Sequence, residues 1–242
     1  MKTEILVALL TGLVAVISAV VSLWGQFRVG RLNRDIEKLK LKAEVERNSA
    51  RYREPLVRAA ADLQSRLFNI LALNFIDRFL KQGTNREQAY ALANTAFLFA
   101  QFFAWTEATR LEIQYIQLDE DKKTQALSNL QSRIYSLFQT DRFPPVFRVF
   151  AGEQRAIGER MLVQSSNGLK CLGYGEFLSN SAFSEDLLMK ALLEDVASLK
   201  HTLSESIPRL TALQHALVEL IDFLDPGYLR FSKEERTKYA DK

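Results

Sequence analysis

The chain has 242 residues, of which 32 are Lys or Arg and 29 are Asp or Glu, for a net charge of +3. This length fits one ordinary domain with an added segment, and a single cysteine, Cys171, excludes an intramolecular disulfide framework. Ten Gly, five Pro and long stretches with helical apolar spacing predict an all-α fold. The sequence has no phosphate loop, metal-ligand cluster or nucleophile elbow, so we predict neither a cofactor nor a metal.

Twenty apolar or small residues, Ile5 to Trp24, open the chain. At about 1.5 Å per residue, a helix of this length can cross the bilayer core. A cleaved signal peptide fits less well, because the apolar run continues beyond the weak small-residue site at 19–22 and basic residues follow at once. A buried helix of a soluble protein is the third interpretation. We predict an uncleaved transmembrane helix at 5–24.

The distribution of Lys and Arg predicts how that helix is oriented across the membrane. Only Lys2 precedes the apolar run, whereas nine Lys or Arg lie between Phe27 and Arg53. The positive-inside rule then places the N-terminus outside and the C-terminal domain in the cytoplasm. We expect the nearest cations to contact lipid headgroups, namely Arg28, Arg31 and Arg34. Residues 54–242 hold 22 basic and 24 acidic residues, and this near-neutral balance disfavours nucleic acid as a partner.

A second pattern crosses the expected membrane boundary at alternating steps of three and four residues. Its members are Ala8, Thr11, Ala15, Ser18, Ser22 and Gly25, then Val29, Leu32, Ile36, Leu39 and Ala43. Small residues allow close helix packing in lipid, whereas large aliphatic residues form coiled-coil contacts in water. We predict a homo-oligomer seam along these positions. In the alternative, small residues are simply common in spans and Val29 to Leu39 packs against the protein's own domain.

The soluble part of this seam is short. It contains only about two heptads, and Glu46 occupies the next seam position, whereas a coiled coil usually needs three or four heptads. We therefore expect assembly to depend on the membrane as well as on residues 25–53, the predicted helical stalk.

Beyond the stalk, we predict a helical domain at 54–227 with about six helices and a flexible tail at 228–242. Proline, glycine and cap residues divide the domain into helices at about 55–82, 86–118, 121–140 and 146–163. A further helix starts at Ser184, and the last is capped by Ser206, has Pro208 in its first turn and ends before Asp225. The segment 164–183 lacks periodicity, so we expect it to be irregular. Aromatic residues surround the helix at 86–118 and predict a central position in the core.

One pair of residues suggests nucleic-acid chemistry. Arg209 and His215 are separated by five residues, and this spacing resembles the R-x(4–6)-H motif of HEPN-family ribonucleases. The resemblance implies that paired protomers bring the two side chains to a phosphodiester, where His215 assists as a general acid or base. On a regular helix, however, the two residues lie about 120° apart. We favour an ordinary helical surface, with His215 beside Glu219.

Two further features have structural and functional interpretations. Tyr174 and Glu176 lie in the glycine-containing irregular segment and are candidates for a ligand or partner site. Cys171 has no histidine nearby in sequence to activate its thiol, so we predict a structural cysteine.

These patterns predict a single-pass, membrane-anchored helical protein that assembles or binds partners at the cytoplasmic membrane face. Its expected partners are the membrane, copies of itself and an unidentified protein. Two alternatives remain open: a membrane-associated ribonuclease that uses Arg209 and His215, and an oligomeric pore formed by the N-terminal helices. A nuclease assay and a conductance measurement distinguish them.

Overall fold

The computed structural model describes residues 2–113, 121–166, 168–180, 183 and 185–240. The protein is 79% helical and 4% strand, which confirms the predicted all-α class. The chain divides into two compact units, Met1–Arg47 and Asn48–Lys242.

Helix α1 spans Lys2–Ala72 and contains Pro55. The expected helix start near Pro55 is therefore wrong. Proline lacks the N–H that would bond to the carbonyl of residue 51, but the helix continues through that site. From Tyr52 onward, its apolar side chains enter the core, including Leu56, Leu63 and Leu67.

A tight corner follows α1. Asn74 has a φ of 55°, and a π-helical segment runs over Ile76–Lys81. Helix α2 then spans Asn85–Ile113. Thr84 and Glu87 form its start: the Glu87 carboxylate accepts from the Thr84 backbone N–H at 2.8 Å, and Thr84 Oγ1 accepts from the Glu87 N–H at 3.4 Å. The predicted end of this helix near residue 118 lies outside the described residues.

Helix α3 spans Asp121–Gln139, close to its predicted bounds, but α4 is Ala151–Met161 and starts five residues later than expected. The difference arises because the chain first runs extended, and the Val149 N–H donates to the Phe138 carbonyl at 3.2 Å. The Glu153 carboxylate then accepts from the Phe150 N–H at 2.8 Å and starts α4.

The segment predicted to be irregular contains regular structure. Strands β1 (Leu162–Ser165) and β2 (Gly168–Cys171) pair antiparallel, with Leu162 opposite Cys171, and helix α5 follows at Tyr174–Ser179. Four-residue strands are too short to show a clear alternation of apolar and polar residues, so the sequence did not predict them. Gly168 is required at the turn, because its φ is +99° and a Cβ there would lie 2.9 Å from the Tyr52 hydroxyl.

Helix α6 is a single helix over Leu187–Leu224, where the sequence predicted two. Its cap is Asp186, whose carboxylate accepts from the N–H groups of Leu188 and Met189, whereas the expected cap Ser184 lies outside the described residues. Pro208 lies inside the helix, and Ser206 is no cap, since its hydroxyl donates to the Thr202 carbonyl at 2.9 Å. The predicted stop before Asp225 is confirmed.

The segment 228–240 makes specific contacts, although we expected a flexible tail. It includes a 3₁₀ turn at Glu234–Arg236. Arg236 is buried, and its guanidinium pairs with the carboxylates of Asp222 and Asp225. Gln214 of α6 donates to the Thr237 carbonyl at 2.9 Å and accepts from the Tyr239 N–H at 3.1 Å. These contacts join the tail to α6, and its flexibility stays a prediction.

The core of the unit Asn48–Lys242 centres on α2. Phe99, Phe102 and Phe103 are fully buried, which confirms the predicted central position of this aromatic helix. Helix α2 packs against α4 and α6, and α3 packs against α6. The α2–α4 contact requires Gly158, because a Cβ at this position would lie 2.7 Å from the Phe103 carbonyl oxygen.

Candidate functional site

The N-terminal part of α1 exposes apolar side chains. Over Gly12–Lys40 this helix is long and apolar enough to cross a membrane, and none of its most apolar stretch is buried. A signal sequence also satisfies this criterion. The described seam residues are all exposed: Ser18, Ser22, Gly25, Val29, Leu32, Ile36, Leu39 and Ala43. The other seam residues are Ala8, Thr11 and Ala15, and their side chains are outside the part of the chain that the structure describes.

The three arginines predicted to contact headgroups are exposed on the same helix. The Arg28 guanidinium lies 4.6 Å from the Trp24 ring centroid, and Arg34 Nε donates to the Gly30 carbonyl at 3.2 Å. Arg31 is also exposed. These positions leave the cations accessible, and headgroup contact stays a prediction.

Arg209 is fully buried, so its predicted place on the helix surface is wrong. Its guanidinium donates to five backbone carbonyls at 2.8–3.3 Å: those of Leu137, Phe138, Thr140, Pro144 and Val146. An arginine has five N–H groups, so these bonds occupy its whole donor capacity. Burial, followed by the charge of Arg148, lowers the pKa of Arg209. The side chain binds the end of α3 and the connection to α4.

His215 contacts another part of the chain. Its Nε2 lies 2.7 Å from the Tyr239 carbonyl oxygen in the tail. Glu219, which we expected beside His215, instead pairs with Arg133 and Lys238. The two residues of the ribonuclease-like spacing thus have different neighbours, and Arg209 has no N–H left for a phosphate.

Glu176 has a local structural role. Its carboxylate accepts from the Gly173 N–H at 2.8 Å and thereby caps α5. Cys171, just before this turn, is buried, and burial, followed by the Glu176 charge, raises the pKa of its thiol to about 12. A neutral thiol is a poor nucleophile, in agreement with the predicted structural role.

Tyr174 belongs to an aromatic cluster that the sequence did not predict. Its ring centroid lies 5.3 Å from that of Phe97 and 6.3 Å from that of Tyr90 in an edge-to-face arrangement. Arg66 of α1 is the charged member of this cluster, with its guanidinium 4.2 Å from the Phe75 ring centroid and 5.9 Å from that of Tyr90. The structure therefore joins Tyr174 to a buried arginine.

Arg66 is only 9% exposed. It donates to Thr95 Oγ1 at 3.0 Å and to Asn94 Oδ1 at 2.7 Å, and both acceptors are neutral. Burial is the main cause that lowers its pKa. In the sequence, Arg66 lies on the apolar stripe, three residues after Leu63 and four before Ile70, and a charge at such a position is a signal that we missed.

A groove adjoins this arginine at the corner after α1. Its volume is about 500 Å³, and it is lined by Phe75, Phe79, Thr84, Arg86, Glu87 and Tyr90. Two of these lining rings, Phe75 and Tyr90, are also those that contact Arg66. The π-helical segment Ile76–Lys81 contributes Phe79. Helices of this type are rare and frequent at functional sites.

Within the described part of the chain, no group of three or more His, Cys, Asp or Glu residues is arranged to hold a metal ion. Comparisons with protein-family models, curated proteins and solved structures give no match.

Proposed function

We propose that the chain is a single-pass membrane protein whose N-terminal helix assembles with copies of itself and holds the helical domain at the cytoplasmic membrane face. The observation that carries this proposal is the exposure of large apolar side chains along α1. Trp24 is 64% exposed, Phe27 74% and Leu39 66%. Contiguous apolar surface of this kind indicates contact with lipid or with another protein.

The seam supports self-association in particular. Its described members are exposed, and they change from small residues to large aliphatic ones after Gly25. That order suits close packing in lipid followed by coiled-coil packing in water. The helix also continues from the apolar run through this transition. One helix can therefore carry both parts of the interface.

The double variant Leu32→Asp with Ile36→Asp tests the seam. In full-length protein in mild detergent, we expect the native mass and the yield of cross-linked oligomer to fall, because two carboxylates would enter an apolar interface. The matched control is Gly30→Asp with Asn33→Asp, which adds the same charges to positions off the seam. Asn33 is exposed, and a Cβ at Gly30 meets no atom within 4 Å. Unchanged assembly in the seam variant, or a monomeric parent protein, would contradict this proposal.

The orientation rests on the excess of Lys and Arg after the apolar run. In intact cells, an external protease should leave the domain after Trp24 undigested, and opening the membrane should expose it. Digestion of the domain without opening the membrane would reverse the proposed topology. Release of a soluble domain that begins after residue 22 would instead identify a signal peptide.

A further inference from the structure

We propose that the seam on α1 joins two copies of this chain as a parallel, in-register dimer, in which Asp35 of each copy forms an ion pair with Lys40 of the other. This inference rests on the self-association proposed above. It adds the number of chains, their relative direction and the charged residues that set their register. The partner is a second copy of this chain.

The first observation is the width of the apolar stripe after Gly25. Written as a heptad repeat, residues 28–40 have large aliphatic residues at every a and d position, namely Val29, Leu32, Ile36 and Leu39. All other residues in this range are charged, polar or glycine: Arg28, Gly30, Arg31, Asn33, Arg34, Asp35, Glu37, Lys38 and Lys40. A helix that packs on a globular core has a wider apolar stripe, whereas a stripe limited to a and d is typical of a coiled coil. The pattern therefore favours a second helix as the partner.

The second observation is the type of aliphatic residue at each position. The a positions hold the β-branched residues Val29 and Ile36, and the d positions hold Leu32 and Leu39. In parallel coiled coils this assignment favours two strands, whereas Ile at both positions shifts the preference to three or four. The four side chains are 40–66% exposed in the single chain, so they are available to pack against a second copy. These residues favour a dimer.

The third observation is the charge on the two sides of the stripe. In a parallel, in-register dimer, a g residue lies opposite the e residue five positions later in the second copy. Asp35 occupies g and Lys40 occupies e, so opposite charges face each other twice in the dimer. The other pair of this kind within residues 28–40 joins Arg28 to the neutral Asn33. Over this range, the proposed register thus brings together opposite charges and no like charges.

The two members of the proposed ion pair are accessible. Asp35 and Lys40 are both exposed, and no ion pair with another described residue involves either of them. Residues five positions apart lie about 140° apart around one helix, so Asp35 does not face Lys40 of its own copy. An energetic coupling between these two positions would therefore report contact between copies.

The span sets the relative direction of the two copies. Two copies that insert by the same positive-inside rule have parallel spans. The small residues Ser18, Ser22 and Gly25 continue the a and d register toward the N-terminus, and small residues let helices approach closely in lipid. In register, small residues meet small ones and large aliphatic residues meet large ones. One parallel arrangement therefore suits both parts of the seam.

Native mass spectrometry of the full-length protein in mild detergent tests the number of chains. We expect a complex of two 27.6 kDa chains. A complex of three or more chains would overturn the dimer and leave self-association intact. A strict monomer would refute the self-association on which the dimer rests.

Charge reversal tests the direction and register through the dissociation constant, measured by energy transfer between fluorescent full-length copies in mild detergent. Asp35→Lys alone, or Lys40→Asp alone, places like charges opposite each other twice. Each should raise the dissociation constant about tenfold, which corresponds to about 1.4 kcal/mol. An equal mixture of the two single variants should form heterodimers with about the parental dissociation constant, because one native and one introduced pair of opposite charges then face each other.

Glu37→Lys and Lys38→Asp are the matched controls. They make the same charge changes at exposed b and c positions, which face away from the second copy. Each should change the dissociation constant by less than about twofold. Equal weakening by Asp35→Lys and Glu37→Lys, or no recovery of affinity in the mixture, would exclude the parallel, in-register arrangement.

Discussion

The two longest helices distribute polar and apolar side chains in opposite ways. Over residues 13–39, α1 exposes large apolar side chains such as Trp24 and Leu39. Helix α6 buries Arg209, Gln214 and Ser206 completely. In α6 each of these polar groups has a hydrogen-bonding partner. Burial therefore follows the availability of hydrogen-bonding partners rather than side-chain polarity alone, whereas the large apolar side chains of residues 13–39 are exposed.

The largest expected effect is the loss of the Arg209 hydrogen bonds. Arg209→Ala should lower the free energy of unfolding by about 3–5 kcal/mol, because buried carbonyls lose their donors and a cavity forms. Urea unfolding of the full-length protein in detergent, followed by circular dichroism, measures the change. The control Arg142→Ala, at an exposed site, should shift stability by less than about 0.5 kcal/mol. A similar small shift for Arg209→Ala would show that burial of this arginine is unimportant.

A smaller effect is expected at Gln214. Its amide bonds to Gln64 Oε1 and the Thr237 carbonyl, each at 2.9 Å, and accepts from the Tyr239 N–H. Gln214→Ala should lower stability by about 2–3 kcal/mol, since these partners become unsatisfied. It should also speed amide hydrogen exchange at 237–239. The exposed Gln125→Ala serves as the control, and unaltered exchange in Gln214→Ala would mean that the tail is held by other contacts.

The smallest effect concerns an acidic group on α6 that lies near other acidic groups. Burial, followed by the charges of Glu153 and Glu194, raises the pKa of Asp195 to about 6, from 3.8. The folded chain thus binds this proton more tightly than the unfolded chain, and stability is lost as the pH rises from about 4 to 6. Asp195→Asn should stabilise the protein by roughly 1 kcal/mol at about pH 8, after allowance for solvent screening.

The pH dependence separates this effect from a general change in packing. At about pH 3, Asp195 is protonated in both states, so Asp195→Asn should leave stability almost unchanged. Thermal unfolding at the two pH values provides the comparison, and Asp141→Asn, at an exposed position, is the control. Equal stabilisation at both pH values would attribute the gain to packing.

The sequence predicted features that depend on local patterns. The aromatic core helix, the bounds of α3 and the stop after Leu224 all follow from residues within a few turns of one another. The helix starts predicted near Pro55 and Pro208 are wrong, because both prolines lie inside continuous helices. In α6, the Ser206 hydroxyl donates to the Thr202 carbonyl, within the two turns that precede Pro208.

The candidate sites were harder to predict because their contacts are not local. Tyr174 was a candidate from the sequence, but its neighbours Tyr90 and Phe97 lie about 80 residues earlier. Arg66 received no functional interpretation, although its position on an apolar stripe was visible. Arg209 was assigned to the surface because nothing in α6 itself indicates the five carbonyls that bind it.

The separation between Arg209 and its acceptors also constrains the order of folding. The five carbonyls precede Arg209 by 63–72 residues. During synthesis from the N-terminus, the end of α3 and the connection to α4 must therefore hydrogen-bond to water until the middle of α6 emerges from the ribosome. A nascent chain halted before residue 209 would lack this closure, and the five carbonyls would stay hydrated.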